Sequence, residues 1–142
     1  FQIIKITTSK NENFFVVNTH MDAGRRDSDR ASRKIQLEHI VSKVNKKRIN
    51  DALIIAGDLN LNSKDAEDMK LLEKFKNNLG LTDVFKDIKI DEKWSILDYI
   101  LIRQGKEINL SVVSAGEDES FVTEEGPLSD HPALFLELLI KE

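Results

Sequence analysis

Six side chains able to move protons or hold phosphate flank the most apolar stretches of the sequence. His20 follows Phe14–Asn18. Asp58 and Asn60 follow Ala52–Ala56. Asp98 sits inside the apolar run Ile96–Ile102, and Asp130 and His131 come just before Ala133–Ile140. On α/β sheets ligands bind beyond strand ends, so these places have first claim on chemistry. An aspartate can deprotonate or orient a water. A histidine can act as acid or base or, when protonated, stabilise a phosphoryl oxygen. If residues 57–60 are extended, Asp58 and Asn60 point to one side while Leu59 enters the core. Such a carboxylate–amide pair can hold a metal-bound or phosphate-bound water. Gly-Asp-x-Asn is equally a turn sequence, because Gly, Asp and Asn are common turn formers. Asp98 lies between Leu97 and Tyr99, where an unpaired carboxylate is costly. An ion pair with a lysine satisfies it, and so does a histidine that it orients. Pro132 restricts the backbone of His131. Arg25, Arg26, Arg30 and Arg33 follow His20 closely; they can bind phosphate or form a solvated charged face. His39 reads as a boundary residue of a helix. The serine-nucleophile, P-loop and H-E-x-x-H signatures are absent.

These residues need elements to position them. Phe1–Thr7 and Phe14–Asn18 read as an antiparallel pair of strands joined by a polar turn at Ser9–Asn13. Ser28 or Asp29 can cap a helix that runs to about Lys47, with Leu37, Ile40, Val41 and Val44 on one face. Ala52–Ala56 reads as a central buried strand. A second helix is expected from Ser63 or Lys64 to Gly80, its apolar face being Leu71, Leu72, Phe75 and Leu79. Gly80 suits the left-handed closing position, with Leu81 packing behind it. Leu81–Ile90 is a connection holding a short element near Thr82–Phe85. Ser95–Ile102, Asn109–Ser114 and Ala133–Ile140 complete the strands. The order ββαβαβββ specifies an α/β, or α+β, fold with a mixed sheet whose two helices cover one face.

The 142 residues correspond to one domain, able to bury about two thirds of the extended surface. Hydrophobic residues make up 40% and charged residues 32%, which excludes a disordered or fibrous chain. With 21 Lys and Arg against 25 Asp and Glu, the net charge of −4 excludes a basic footprint over the whole chain. Charge is uneven, however: Arg25 to Arg48 holds nine basic and three acidic residues, whereas Glu117 to Asp130 holds six acidic and no basic ones. The absence of cysteine excludes disulfides, thiolate metal sites and cysteine nucleophiles. Apolar runs are far too short for a membrane-spanning helix. A cytoplasmic or secreted location is expected, and no signal peptide is visible. Phe1 already lies in a strand, as expected of the trimmed part of something longer.

In chain order the four places read N-T-H (Asn18–His20), G-D-L-N (Gly57–Asn60), L-D-Y-I (Leu97–Ile100) and S-D-H-P (Ser129–Pro132). This order resembles the C-terminal half of the endonuclease/exonuclease/phosphatase superfamily, the DNase I-like fold, over nearly the whole chain. The stretch from His20 to Leu37 is similar to its bacterial sphingomyelinase-like and nuclease-like branches. The resemblance implies a four-layer sandwich of which residues 1–142 supply about half. It also implies hydrolysis of a phosphate ester by activated water, with magnesium or manganese. Asp58 would orient or deprotonate the water, and Asn60 would place the water and a phosphate oxygen. His131 would stabilise the scissile phosphate, its ring held by Asp98. Asp130 and Asp58 would bind the metal, while His20 and Arg25 would contact substrate phosphate.

The family's early Asn and metal-binding Glu have no counterpart here. The expected partners are therefore a phosphate-ester substrate, nucleic acid or phospholipid head group among them, and the missing N-terminal half. That half would come as a second chain or in a longer precursor; a homodimer is the third option. A lone half would leave one apolar sheet face with no second sheet against it. Two other readings stay open: a nuclease acting on DNA or RNA, and a non-catalytic assembly partner.

Overall fold

The computed structural model describes residues 1–47, 49–86, 97–118 and 120–141. β1 (Gln2–Thr7) and β2 (Asn13–His20) form the expected antiparallel hairpin. β3 (Ala52–Asp58) lies parallel to β2, β5 (Asp98–Arg103) antiparallel to β3, and β4 (Thr82–Asp83) antiparallel to β5. The order β1-β2-β3-β5-β4 puts β3 at the centre of a five-stranded mixed sheet. The expected start of β5 at Ser95, and the connection beyond Lys86, lie outside the described residues.

Strand periodicity sorts the side chains onto two faces. Phe15, Val17, Leu53, Ile55, Tyr99 and Leu101 form one core with the helices α1 (Asp27–Lys46) and α2 (Ala66–Leu79). Both helices start differently from the sequence reading. The cap of α1 is Arg26, not Ser28 or Asp29; Asp29 instead sits in the first turn and accepts the Arg26 N–H at 2.9 Å. A carboxylate there also meets the positive end of the helix dipole. The cap of α2 is Asp65, which accepts the N–H groups of Glu67 and Asp68 at 2.9 and 3.1 Å. Ser63 and Lys64 belong to the turn before it. At the other end Gly80 adopts φ 66°, as expected, and both its N–H and that of Leu81 reach the carbonyl of Lys76.

The opposite sheet face overturns one expectation. Phe14, Val16, Ala52, Ile54 and Ile102 are not left bare: they pack with Ile108, Leu110, Leu136, Leu138 and Ile140. Leu110 belongs to β6 (Asn109–Asp118), and the last three to β9 (Ala133–Lys141). These strands pair with each other as a separate antiparallel ribbon, not as members of the main sheet. β6 runs four residues beyond its expected end at Ser114, with a bulge between Val112 and Ser114. Alternation in β9 explains why the ribbon can fold back: Leu136, Leu138 and Ile140 point inward while Phe135 and Leu139 stay 41% and 50% exposed. A small hairpin, β7 (Val122–Thr123) with β8 (Gly126–Pro127), joins the two ribbon strands.

Two glycines have positive φ where it matters. At Gly80 an added Cβ would find its nearest neighbour at an ordinary 3.6 Å. At Gly57, φ 140°, it would lie 1.9 Å from the backbone carbonyl oxygen of Thr19, which cannot yield. Gly80→Ala is therefore expected to cost about 1 kcal/mol. Gly57→Ala should cost more than about 3 kcal/mol, because β2 and β3 must separate. Urea denaturation of both variants measures the difference; equal losses would contradict the close approach at Gly57.

Candidate active site

Register brings the site together. In the parallel pair His20 lies opposite Asp58; in the antiparallel pair Asp58 lies opposite Asp98. The three residues thus form one row across β2, β3 and β5. They share the sheet face that also carries Phe14, Ile54 and Ile102. His131 comes from the segment before β9, so the ribbon packed on this face delivers it. Its Nδ1 lies 2.6 Å from Asp98 Oδ2 and 4.0 Å from Asp58 Oδ2, and His20 Nε2 lies 3.4 Å from Asp58 Oδ2. Asp58 is largely covered, its side chain 14% exposed, whereas His20 stands out at 74%.

Two carboxylates opposite each other on neighbouring strands repel. The His131 ring relieves this. Its hydrogen bond to Asp98 raises its pKa above the usual histidine value, helped by the negative charges of Asp98, Asp58 and Asp130 and opposed by partial burial. With Nδ1–H donated to Asp98, the ring keeps Nε2 for a ligand.

The segment after Asp58 is not extended. Asn60 is left-handed, φ 51°, and its N–H donates to Asp58 Oδ1 at 2.7 Å. The turn reading of Gly-Asp-x-Asn is thus correct, and it does not remove the chemistry: it aims one Asp58 oxygen inward and leaves Oδ2 beside both histidines. The turn is firmly pinned. Leu59 and Leu61 are fully buried. The Leu59 N–H donates to the Leu97 carbonyl, the Met21 N–H to the Asp58 carbonyl, and Asn60 Nδ2 to the Met21 carbonyl at 2.9 Å. Tyr99 O–H donates to the Leu61 carbonyl at 2.7 Å. Burial raises the Tyr99 pKa, so the phenol stays protonated.

Asp130 and Arg25 stand apart. Asp130 is exposed and outside the group of donors that could jointly hold a cation. That group is Asp58, Asp98 and His131, whose ligand atoms lie within 4.8 Å of one another. Its fit to a hard divalent ion is partial. Asp58 offers oxygen, but Nδ1 of His131 is committed to Asp98. A magnesium ion needs only one or two carboxylates when water and phosphate complete its six positions. Arg25 instead lines a cavity beyond Asn60, together with Arg30, Arg33, Asp65 and Asp68. Sequence reasoning missed Asp65 and Asp68, and it missed the positioning role of Tyr99. A tyrosine inside an apolar strand signals a hydrogen-bond partner for its hydroxyl. Arg30/Arg33 and Asp65/Asp68, each three residues apart, signal two helix faces that can pair.

The same arrangement of chain occurs in solved structures. The chain superimposes on the endonuclease/exonuclease/phosphatase from Beutenbergia cavernae with a TM-score of 0.71 and 14% identity, covering 96% of this chain and 38% of that one. The human Nocturnin catalytic domain with bound sulfate gives 0.69 and 20%, covering 98% and 52%. A Staphylococcus aureus beta toxin mutant with bound magnesium ions gives 0.56 and 22%, covering 95% and 52%. The chain shares the fold of these structures, the DNase I-like fold. It spans 38% to 52% of their length. No protein-family model and no curated protein matches it.

The His131–Asp98 pair makes a pH prediction. Its folded pKa lies above the unfolded value of about 6.5, so the stabilisation is complete below that value and is lost as pH rises through the folded pKa. In Asp98→Asn the His131 ring should titrate at lower pH by NMR. An unmoved midpoint would remove Asp98 as the cause.

Proposed function

We propose that this chain is the C-terminal, water-activating portion of a metal-dependent phosphoesterase. The observation that carries the reading is the row His20–Asp58–Asp98 with His131 held above it at 2.6 Å from Asp98. Asp58 Oδ2 accepts a proton from the attacking water, or orients it. Asn60, fixed by its turn, positions that water and a phosphate oxygen. The imidazolium of His131, its Nδ1–H on Asp98, donates Nε2–H to the scissile phosphate as negative charge builds there. His20, exposed beside Asp58, adds a contact to a phosphate oxygen. A divalent ion would supply charge neutralisation on the phosphate and leaving group, and within the group of possible donors Asp58 is the residue whose carboxylate would hold it. Magnesium is the proposed ion, supported by the carboxylate donors and by the magnesium-bound beta toxin mutant.

The remaining metal ligands and the rest of the second sheet would come from an N-terminal half, on a further stretch of polypeptide or a second chain. Three observations support this. The chain matches about half of the similar structures. Among the described residues the ribbon has two strands only. Its outward residues Val113, Phe135 and Leu139 stay exposed. Native mass spectrometry of the purified protein should find an added polypeptide of comparable size; the 142-residue species alone, if active, would contradict this.

Hydrolysis of a nitrophenyl phosphodiester with magnesium tests the chemistry. Asp58→Ala and His131→Ala should each lower kcat by about a thousandfold, and Asp98→Asn by about a hundredfold with KM little changed. Chelation of divalent ions should abolish the rate. Variants as active as the parent would sink the reading.

A further inference from the structure

A second polar cavity, of about 240 Å³, lies between the starts of α1 and α2, lined by Gly24, Arg25, Arg30, Arg33, Asn60, Asn62, Asp65, Asp68 and Leu97. Two of its lining residues, Asn60 and Leu97, adjoin the site carboxylates directly in sequence or through the Asp58–Asn60 turn. Three guanidinium groups and two carboxylates line it, and Asp27 pairs with Arg30 from outside at 3.6 Å, so among the described residues Arg25 is the lining guanidinium without a carboxylate partner. The pairing is specific. Arg30 Nε and Nη2 bind Asp68 and Asp65, each at 3.0 Å, and Arg33 Nη2 lies 3.5 Å from Asp68. The other oxygen of Asp68 accepts the Asn62 N–H at 3.1 Å. Arg25 forms no ion pair among the described residues and is exposed.

Arg33 is unusual for a charged side chain at 1% exposure. Its Nη1 donates to the carbonyls of Asp22 and Gly24 at 3.1 and 2.8 Å, which fixes the loop that carries Arg25. Its Nε–H, however, is buried with no hydrogen-bond partner among the described residues. A buried charged donor without an acceptor is costly, and such groups call for an unseen ligand or water. Arg25 lines the same cavity and adds a positive charge, which favours an anion with several acceptor oxygens. Guanidinium groups recognise phosphate in this way.

We propose that the Arg25–Arg33 cavity is a second anion site that takes a phosphate group other than the one hydrolysed. The site accepts either free inorganic phosphate or a further phosphate of the substrate, and the experiment separates the two. Its use by substrate rests on the phosphoesterase reading; phosphate binding does not.

Two measurements on the whole 142-residue chain test this. The first is an NMR titration with inorganic phosphate at constant ionic strength, following the Arg33 Nε–H signal, which burial protects from exchange. A saturable shift is expected. It should weaken about tenfold in Arg25→Gln and persist in His131→Ala. A motionless Arg33 signal, an equal response in Arg25→Gln, or a response lost in His131→Ala would overturn the site. The second compares the nitrophenyl ester of thymidine monophosphate with and without a second phosphate on the other sugar hydroxyl. The extra phosphate should lower KM about tenfold, and Arg25→Gln should erase that ratio. An unchanged KM with a positive titration assigns the site to free phosphate and overturns its use by substrate. If neither ester is hydrolysed, the phosphoesterase reading fails while the titration still decides the cavity.

Discussion

Asp58 and Asp98 occupy opposed positions on paired strands, and this repulsion organises the site. A sheet tolerates two facing carboxylates only with positive charge nearby. His131 lies 2.6 Å from one aspartate and 4.0 Å from the other, and its hydrogen bond to Asp98 raises its pKa above the usual histidine value. The raised pKa favours the charged ring, which offsets the facing carboxylates. The ribbon must dock on the sheet for His131 to arrive at all. Packing of Leu136, Leu138 and Ile140 on Phe14, Val16 and Ile54 is therefore coupled to the geometry of the site.

Around this row the backbone is held unusually tightly. Gly57 lets β2 and β3 approach where no side chain fits, and the chain then turns left-handed at Asn60. Leu59 and Leu61 act as buried plugs on either side of that turn, and the Tyr99 hydroxyl ties down its far end. A carboxylate placed this way has little freedom left to lose. Polar groups of the turn are tied to Met21, Leu97 and Tyr99 around it.

Positive charge is partitioned with equal care. Arg30 and Arg33 of α1 cross to Asp65 and Asp68 at the start of α2, and Arg103 holds the carbonyls of Leu79, Ile49 and Asp51 at the other end. These pairs fasten the two helices to the sheet and to each other. The basic excess of Arg25 to Arg48 is thereby partly consumed internally, and it is not a uniform nucleic-acid face. Arg25, which lines the cavity of this network, forms no ion pair among the described residues.

Periodicity and local chemistry were legible without coordinates. The apolar runs Phe14–Asn18 and Ala52–Ala56, the helical stripe Leu37–Val44, Gly80 as a helix stop and the four polar places are local features, set by residues a few positions apart. The helix starts differ from the sequence reading by one to three residues because Ser28, Asp29, Ser63 and Asp65 are all competent caps. Short-range hydrogen bonds, Arg26 N–H to Asp29 and the Glu67 and Asp68 N–H groups to Asp65, fix the observed starts. Sequence could list His20, Asp58, Asp98 and His131, but strand register alone put the first three in one row. Docking of the β6–β9 ribbon, which the sequence had merged into a single sheet, brought His131 to Asp98. Asp130, next to His131 in sequence, stays in solvent. Composition and spacing determine which groups are available. Which of them meet is decided by long-range packing, because the order of strands in space is fixed by buried faces that no local stretch of sequence encodes.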